Sequence, residues 1–112
     1  MNHDGIDKEC VALCDAINIV PGLQTIESCC GHGEWTFKIW LKVKSLEKLP
    51  VLLYFCDPCH VGFRWHCTVE TDCAMAPVTF LLESESIGEE AYEEAQKITE
   101  KVIDYFETGA KD

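Results

Sequence analysis

Positive charge is scarce in this chain. Nine Lys and Arg stand against 20 Asp and Glu, a formal net charge of −11. A field of that sign repels phosphate, so no general grip on nucleic acid or on an anionic membrane is expected. Long apolar runs are missing too: the longest, Val51–Cys56, is far too short to span a bilayer. The start, Met1-Asn2-His3-Asp4-Gly5-Ile6-Asp7-Lys8-Glu9, has neither a basic opening nor an apolar stretch. It does not read as a secretory signal, and the expected compartment is the cytoplasm, where thiols stay reduced. There is no G-x-S-x-G, P-loop, dinucleotide glycine fingerprint or H-E-x-x-H, so no nucleophile–base pair can be named from spacing. Internal repeats, linkers and low-complexity segments are absent as well.

What is present is ordinary globular composition, 47% hydrophobic and 26% charged over 112 residues, with eight cysteines. This predicts one domain over 1–112, with tails at 1–4 and 108–112. In a reducing compartment the cysteines are expected as core residues, metal ligands or reactive groups rather than as a disulfide framework.

The apolar residues Ile6, Cys10, Leu13, Cys14 and Ile17 recur at steps of three and four, predicting a helix over 5–18 with Asp4 as N-cap. Asp7 and Glu9 suit the positive end of its dipole. Pro21-Gly22 turns the chain into a short strand over 23–28. From Trp35 the alternation is strong: Trp35, Phe37, Ile39, Leu41 and Val43 face one way, and Thr36, Lys38, Trp40, Lys42 and Lys44 the other. Ser45 is positioned to cap a helix over about 46–56, with Leu46, Leu49, Leu52, Leu53 and Cys56 inward and Asp57-Pro58 as its stop. Residues 63–70 alternate again, 71–77 connect, and 78–83 form a fourth strand. The clearest helix covers 88–106, with Ala91, Ala95, Ile98 and Val102 inward and its acidic residues on the solvent side. The order α-β-β-α-β-β-α predicts an α+β, two-layer fold with a four-stranded, mainly antiparallel sheet and helices on one face.

Four places carry candidate chemistry. The first is Glu27-Ser28-Cys29-Cys30-Gly31-His32-Gly33. Two glycines free the backbone, so the bend can present Cys30 and His32 to a metal or backbone N–H groups to an anion, unless it is only a tight turn. The second is Cys56-Asp57-Pro58-Cys59-His60, a C-x-x-C half-site for zinc. With Cys30 and His32 it would make a four-ligand set of Cys30, His32, Cys56 and Cys59 if both bends share one rim of the sheet; Cys29, Cys67 and Cys73 are substitutes. A thioredoxin-like reading lacks its helical context, since His60-Val61-Gly62 leads toward a strand. Cys10, Cys14 and Cys67 read as packing residues.

The third is a face: Lys38, Trp40 and Lys42 beside Arg64, His66 and Thr68 would form a basic aromatic platform able to stack a base, or else a plain wet sheet surface. An exposed Trp40 would favour a ligand or a second copy of the chain as its cover. The fourth, Glu70 and Asp72 in the connection, has no fixed geometry.

The segment Thr25-Ile26-Glu27-Ser28-Cys29-Cys30-Gly31-His32, after Ile19-Val20-Pro21-Gly22, resembles the signature of the tRNA wybutosine-synthesizing protein 3 family. That signature runs Thr-x-Ser-Ser-Cys-Ser-Gly-Arg between a helix and a strand. Thr25, Ser28, Cys29 and Gly31 match it, while Glu27 replaces the first serine and His32 the arginine. The family methylates a tricyclic guanine base of tRNA with S-adenosylmethionine. The resemblance therefore implies a related fold and a ligand-binding loop at 25–33. Glu27-Ser28-Cys29-Cys30-Gly31-His32-Gly33 is also similar to a segment of small uncharacterised bacterial and phage proteins.

The expected function is thus a small-ligand or nucleotide-binding domain using Glu27 to Gly33, with Trp40 and His66 as platform residues. The alternatives are a zinc-stabilised protein without enzyme activity and a homo-oligomeric interaction module joined through the Trp40 face.

Overall fold

The computed structural model describes residues 7–70 and 79–107. Asp4, Ile6, the connection that holds Asp72 and Cys73, and the expected tails lie outside the described residues. Helix α1 (Lys8–Ile19) buries Cys10, Leu13, Cys14, Ala16 and Ile17, the predicted stripe. Its N-cap is Asp7, whose side chain makes no bond to its own helix. Strand β1 (Leu23–Cys29) is followed by a 3-10 turn over Gly31–Gly33 and by β2 (Thr36–Val43). A second 3-10 turn, Leu46–Lys48, leads into α2 (Leu49–Tyr54). A one-turn helix, α3 (Pro58–Val61), precedes β3 (Trp65–Glu70), β4 (Thr79–Ile87) and α4 (Gly88–Glu107).

The predicted order therefore holds, with α3 added. The sheet runs β1-β2-β4-β3 with every neighbour antiparallel. Phe37, Ile39, Leu41 and Leu82 on its inner side join α1 and α4 side chains in one core cluster. Full burial of each such side chain is worth about 1.5–3 kcal/mol. Leu49, Leu52 and Cys56 enter the same cluster from the β2–β3 crossover.

Several boundaries differ from expectation, among them the start of β3, at Trp65 rather than Phe63. Trp35 is not the first inward residue of β2; its N–H bonds to Gly31 O at 2.9 Å, so it belongs to the bend, and it is 64% exposed. Leu46 is exposed rather than inward, because a 3-10 turn there rotates it off the apolar face of α2. Helix α2 ends at Tyr54, two residues short of its expected end and before Asp57-Pro58, and Pro58 opens α3, since its fixed φ suits a first helical position. Strand β4 extends four residues past its expected end, through Ser84 to Ile87. There the buried Ser84 Oγ accepts the Phe37 N–H at 2.8 Å, which satisfies the backbone donor beside the bulge between Thr36 and Lys38.

Register places the two bends. Cys29, Lys38, Glu83 and His66 stand in one row across all four strands. Trp65, at the start of β3, donates its N–H to Cys56 O at 3.1 Å. The bend after β1 and the segment before β3 thus lie at the same rim of the sheet, at its two opposite edges. Three strand spacings separate those edges, roughly 14 Å.

Candidate functional site at the sheet rim

The 30–33 bend turns through three consecutive residues with positive φ: Gly31 at 83°, His32 at 52° and Gly33 at 83°. Glycine is required at 31, because a Cβ there would come within 2.8 Å of Thr36 O. His32 is the one non-glycine residue with positive φ among the described residues. A side chain held in that region costs of order 1 kcal/mol or more and persists only where the surroundings over-determine it.

Those surroundings come from three elements. Asp7 Oδ2, at the head of α1, accepts the Cys30 N–H at 3.1 Å. Cys30 Sγ, buried under the bend, accepts the His32 N–H at 3.4 Å and the Tyr92 O–H of α4 at 3.7 Å. The His32 ring is bracketed, with Nδ1 at 3.7 Å from Cys30 Sγ and Nε2 at 3.8 Å from Asp7 Oδ2. Burial pushes the Cys30 thiol up, against the opposing effect of the His32 N–H and the Tyr92 O–H. The Tyr92 phenol is pushed up to about 12, first because it donates to Cys30.

Two expectations for this bend change. Two of its N–H groups, those of Cys30 and His32, are already taken by Asp7 and by the Cys30 sulfur and are not offered to an outside anion. What converges instead is a set of acceptors. Ligand atoms of Asp7, Cys29 and His32 all lie within 4.8 Å of one another, the one such trio of metal-ligating residue types among the described residues. Cys29 thus stands where Cys30 was expected, and Cys30 backs the ring from inside.

The other expected residues scatter. Ser28 lies against the Cys10 and Cys14 thiols, both raised by burial, with Cys10 pushed up to about 12. Glu27 pairs with Trp40 in the β1–β2 register. Cys56 is buried and pushed up to about 12 by that burial, with Cys67 adding to it, while Cys59 is exposed. Asp57 accepts the Cys59 N–H at 2.8 Å, which holds its carboxyl below the usual range, and Arg64 and His60 reinforce this. The His60 ring lies on Tyr54, centroids 3.6 Å apart.

The four-ligand set Cys30, His32, Cys56 and Cys59 is therefore not gathered. Across the gap between the two bends, Tyr92, Phe37 and Trp65 form a continuous aromatic contact, with centroids 6.3 and 5.3 Å apart.

The expected platform exists as a face, with different electrostatics. Register puts Lys38 with His66, and Trp40 with Thr68, on one side of the sheet. Lys38 and His66 each meet an acid there: Glu83 lies 3.9 Å from Lys38, and Glu85 pairs with His66. Trp40 is half-buried and donates its indole N–H to Glu70 at 2.9 Å. Arg64 precedes β3 and lines a small cleft with Asp57 and Trp65. The face carries more carboxylates, Glu27, Glu70, Glu83 and Glu85, than lysines, Lys38 and Lys42, and so is not basic, and the exposed tryptophan is Trp35, beside the bend.

Sequence reasoning missed Asp7 as a site residue, reading it only as a dipole partner, and missed Tyr92 altogether. Both come from other elements, and no spacing rule links position 7 or 92 to position 30. No helix among the described residues is long and apolar enough to cross a membrane. Comparison with protein-family models, with curated proteins and with solved structures finds no match to this chain.

Proposed function

We propose that the protein is a cytoplasmic small-ligand-binding domain whose site is the rim around the 29–33 bend. One observation carries the reading. His32 is held in a left-handed conformation, with a side chain 65% exposed and bracketed by Asp7 and Cys30. Strain kept at an exposed residue that three elements hold in place points to use. Trp35 adjoins it as an exposed aromatic surface on which a ring can stack. A nucleoside-type ligand, S-adenosylmethionine included, follows from the resemblance of residues 25–32 to the tRNA-modification family. Trp40 and His66 stand on the open face away from the bend, Trp40 directed to Glu70 at the far end of β3 and His66 on the opposite edge strand, so they are not part of this site. General nucleic-acid binding is not part of the reading, because Glu83, Glu85 and Glu70 neutralise that face.

The test is titration with S-adenosylmethionine, nucleosides and nucleotides, followed by amide NMR shifts and tryptophan fluorescence. Shifts confined to 28–36, with weaker binding in Trp35→Ala, are expected. Unmoved resonances in that bend at millimolar ligand reject the proposal.

A further inference from the structure

We infer that Asp7, Cys29 and His32 form a three-donor site for a zinc-class divalent cation, with its fourth coordination position open at the rim. The use of that open position, to take a donor atom of the ligand, rests on the ligand-binding reading above. The three protein donors do not depend on it.

Carboxylate oxygen, thiolate sulfur and imidazole nitrogen are the set zinc takes, and three protein ligands with one open position is the arrangement of its reactive sites. Tetrahedral zinc, with bonds of about 2.0–2.3 Å, sets its donors about 3.3–3.6 Å apart. Here the three donors lie within 4.8 Å of one another, and His32 Nε2 is 3.8 Å from Asp7 Oδ2. Closing the remaining distance needs only rotation of an exposed ring and a half-buried thiol.

The outer partners agree. A ligating histidine donates its second ring N–H to an acceptor, which fixes the tautomer. Cys30 Sγ, 3.7 Å from Nδ1, is placed to accept that proton in the tautomer that keeps the Nε2 lone pair for the metal. Asp7 Oδ2 is oriented by the Cys30 N–H. Asp7 is also the N-cap of α1 yet does not bond its own helix, so its carboxylate is committed to the bend. The left-handed backbone at 31–33 folds His32 back over the end of β1, which brings residues 29 and 32 together. Because the bend is pinned before any ion arrives, little ordering remains to oppose binding.

The experiment uses the full chain, stripped with a chelator and titrated with Co2+, then with Zn2+ in competition. Stoichiometric binding with a thiolate-to-cobalt charge-transfer band, lost on adding Zn2+, is expected. Cys29→Ser should abolish the band. Asp7→Asn and His32→Gln should each weaken binding at least about tenfold, and Cys30→Ala should weaken it about tenfold while keeping the band. Cys59→Ser should change nothing. Far-UV circular dichroism of each metal-free variant checks that it is folded, and Cys29→Ala serves if Cys29→Ser is not.

Absence of stoichiometric binding, a band that survives Cys29→Ser, or a band lost in Cys59→Ser would overturn the site. If cobalt binds through these three donors while no nucleoside moves the bend, the ligand reading fails and the metal site stands. If nucleosides bind the metal-free chain and cobalt does not bind, the metal site fails and the ligand reading stands.

Discussion

The two cysteine-bearing bends at the sheet rim are built from the same residue types and come out differently. Each has a cysteine pair, a histidine and an aspartate whose carboxylate accepts a cysteine N–H: Asp7 for Cys30, Asp57 for Cys59. At the second bend the partners of Asp57, Cys59 and His60 are local, and the tie from α4, Lys97 Nζ to Val61 O at 3.0 Å, does not involve them. Asp57 caps the turn it begins, His60 lies on Tyr54, and the extended break at Asp57 between α2 and α3 leaves Cys56 inward and Cys59 outward. At the first bend the partners arrive from α1 and α4, across 23 and 62 residues of sequence. The segment with the familiar ligand spacing therefore gathers no donors, and the segment with an unfamiliar one does. Spacing sets what a turn can reach on its own, whereas convergence is a property of the fold.

Burial gives the sharpest contrast, and it lies inside the second bend. With its pKa pushed up to about 12 from 9.0, Cys56 holds its proton in the fold at any ordinary pH. That difference implies a thiolate fraction about a thousandfold lower than in the unfolded chain, and slower alkylation in proportion. Cys59, exposed two residues after the break, should alkylate first in a timed mass-spectrometric experiment under native conditions. The stability sign follows from proton counting. Above pH 9 the unfolded chain has released the Cys56 proton and the fold has not, so stability falls as pH rises from about 9 toward about 12. Cys10, likewise pushed up to about 12, adds in the same direction beneath the first bend. Urea melts on the alkaline side should show the fall, and Cys56→Ala should flatten it. An unchanged slope in that variant would mean that the burial of Cys56 does not control its proton.

Next in size is the glycine contrast. Gly31→Ala meets both a φ of 83° and a backbone oxygen at 2.8 Å that cannot give way, and should cost about 2–3 kcal/mol. Gly33→Ala and Gly62→Ala, with similar φ and open space around each, should cost about 1 kcal/mol apiece. Equal losses at all three in denaturant melts would show that the first bend is no more tightly seated than the second.

The aspartates come third. Asp7→Ala removes a charged, partly buried hydrogen bond that ties α1 to the bend, and should cost about 1.5 kcal/mol. Asp57→Ala should cost less, because its bond spans only two residues and ties no second element to the turn. The lowered pKa of Asp57 makes its contribution present above the unfolded carboxylate value and lost as pH falls through the lowered one. Asp57→Asn should therefore flatten the acid limb of stability slightly. A loss for Asp57→Ala as large as for Asp7→Ala would erase the distinction between local and long-range ties.

The element order, the α+β class and the buried stripes of α1 and α4 were legible because each follows from period 2 or 3.6 in apolar residues, whereas the central pairing of β2 with β4 does not. The end of β4 was not, since Glu83-Ser84-Glu85-Ser86 alternates two polar types and only the fold shows that Ser84 is buried. Nor was α3, a single turn of four residues, too short for periodicity to register. Within the site, Cys29 to Gly33 stood out through glycine and thiol chemistry, but the choice of Cys29 over Cys30 as the outward donor depends on the register of β1 against β2. Asp7 could be found only by knowing that the head of α1 comes to rest beside the end of β1.

The smallest expected effect divides the bends by sign. His60 gains from its place on Tyr54, so His60→Ala should destabilise by about 0.5–1 kcal/mol. His32 is strained, at φ 52°, and most of its ring is in solvent. His32→Gly should relieve that strain and raise the stability of the metal-free chain by up to about 1 kcal/mol, even after the added flexibility of glycine in the unfolded state. The same variant should lose cobalt binding at the rim. A residue whose removal stabilises the fold and abolishes an activity is kept for the activity. If His32→Gly instead destabilises as His60→Ala does, the left-handed histidine is ordinary packing, and the first bend has no better claim to chemistry than the second.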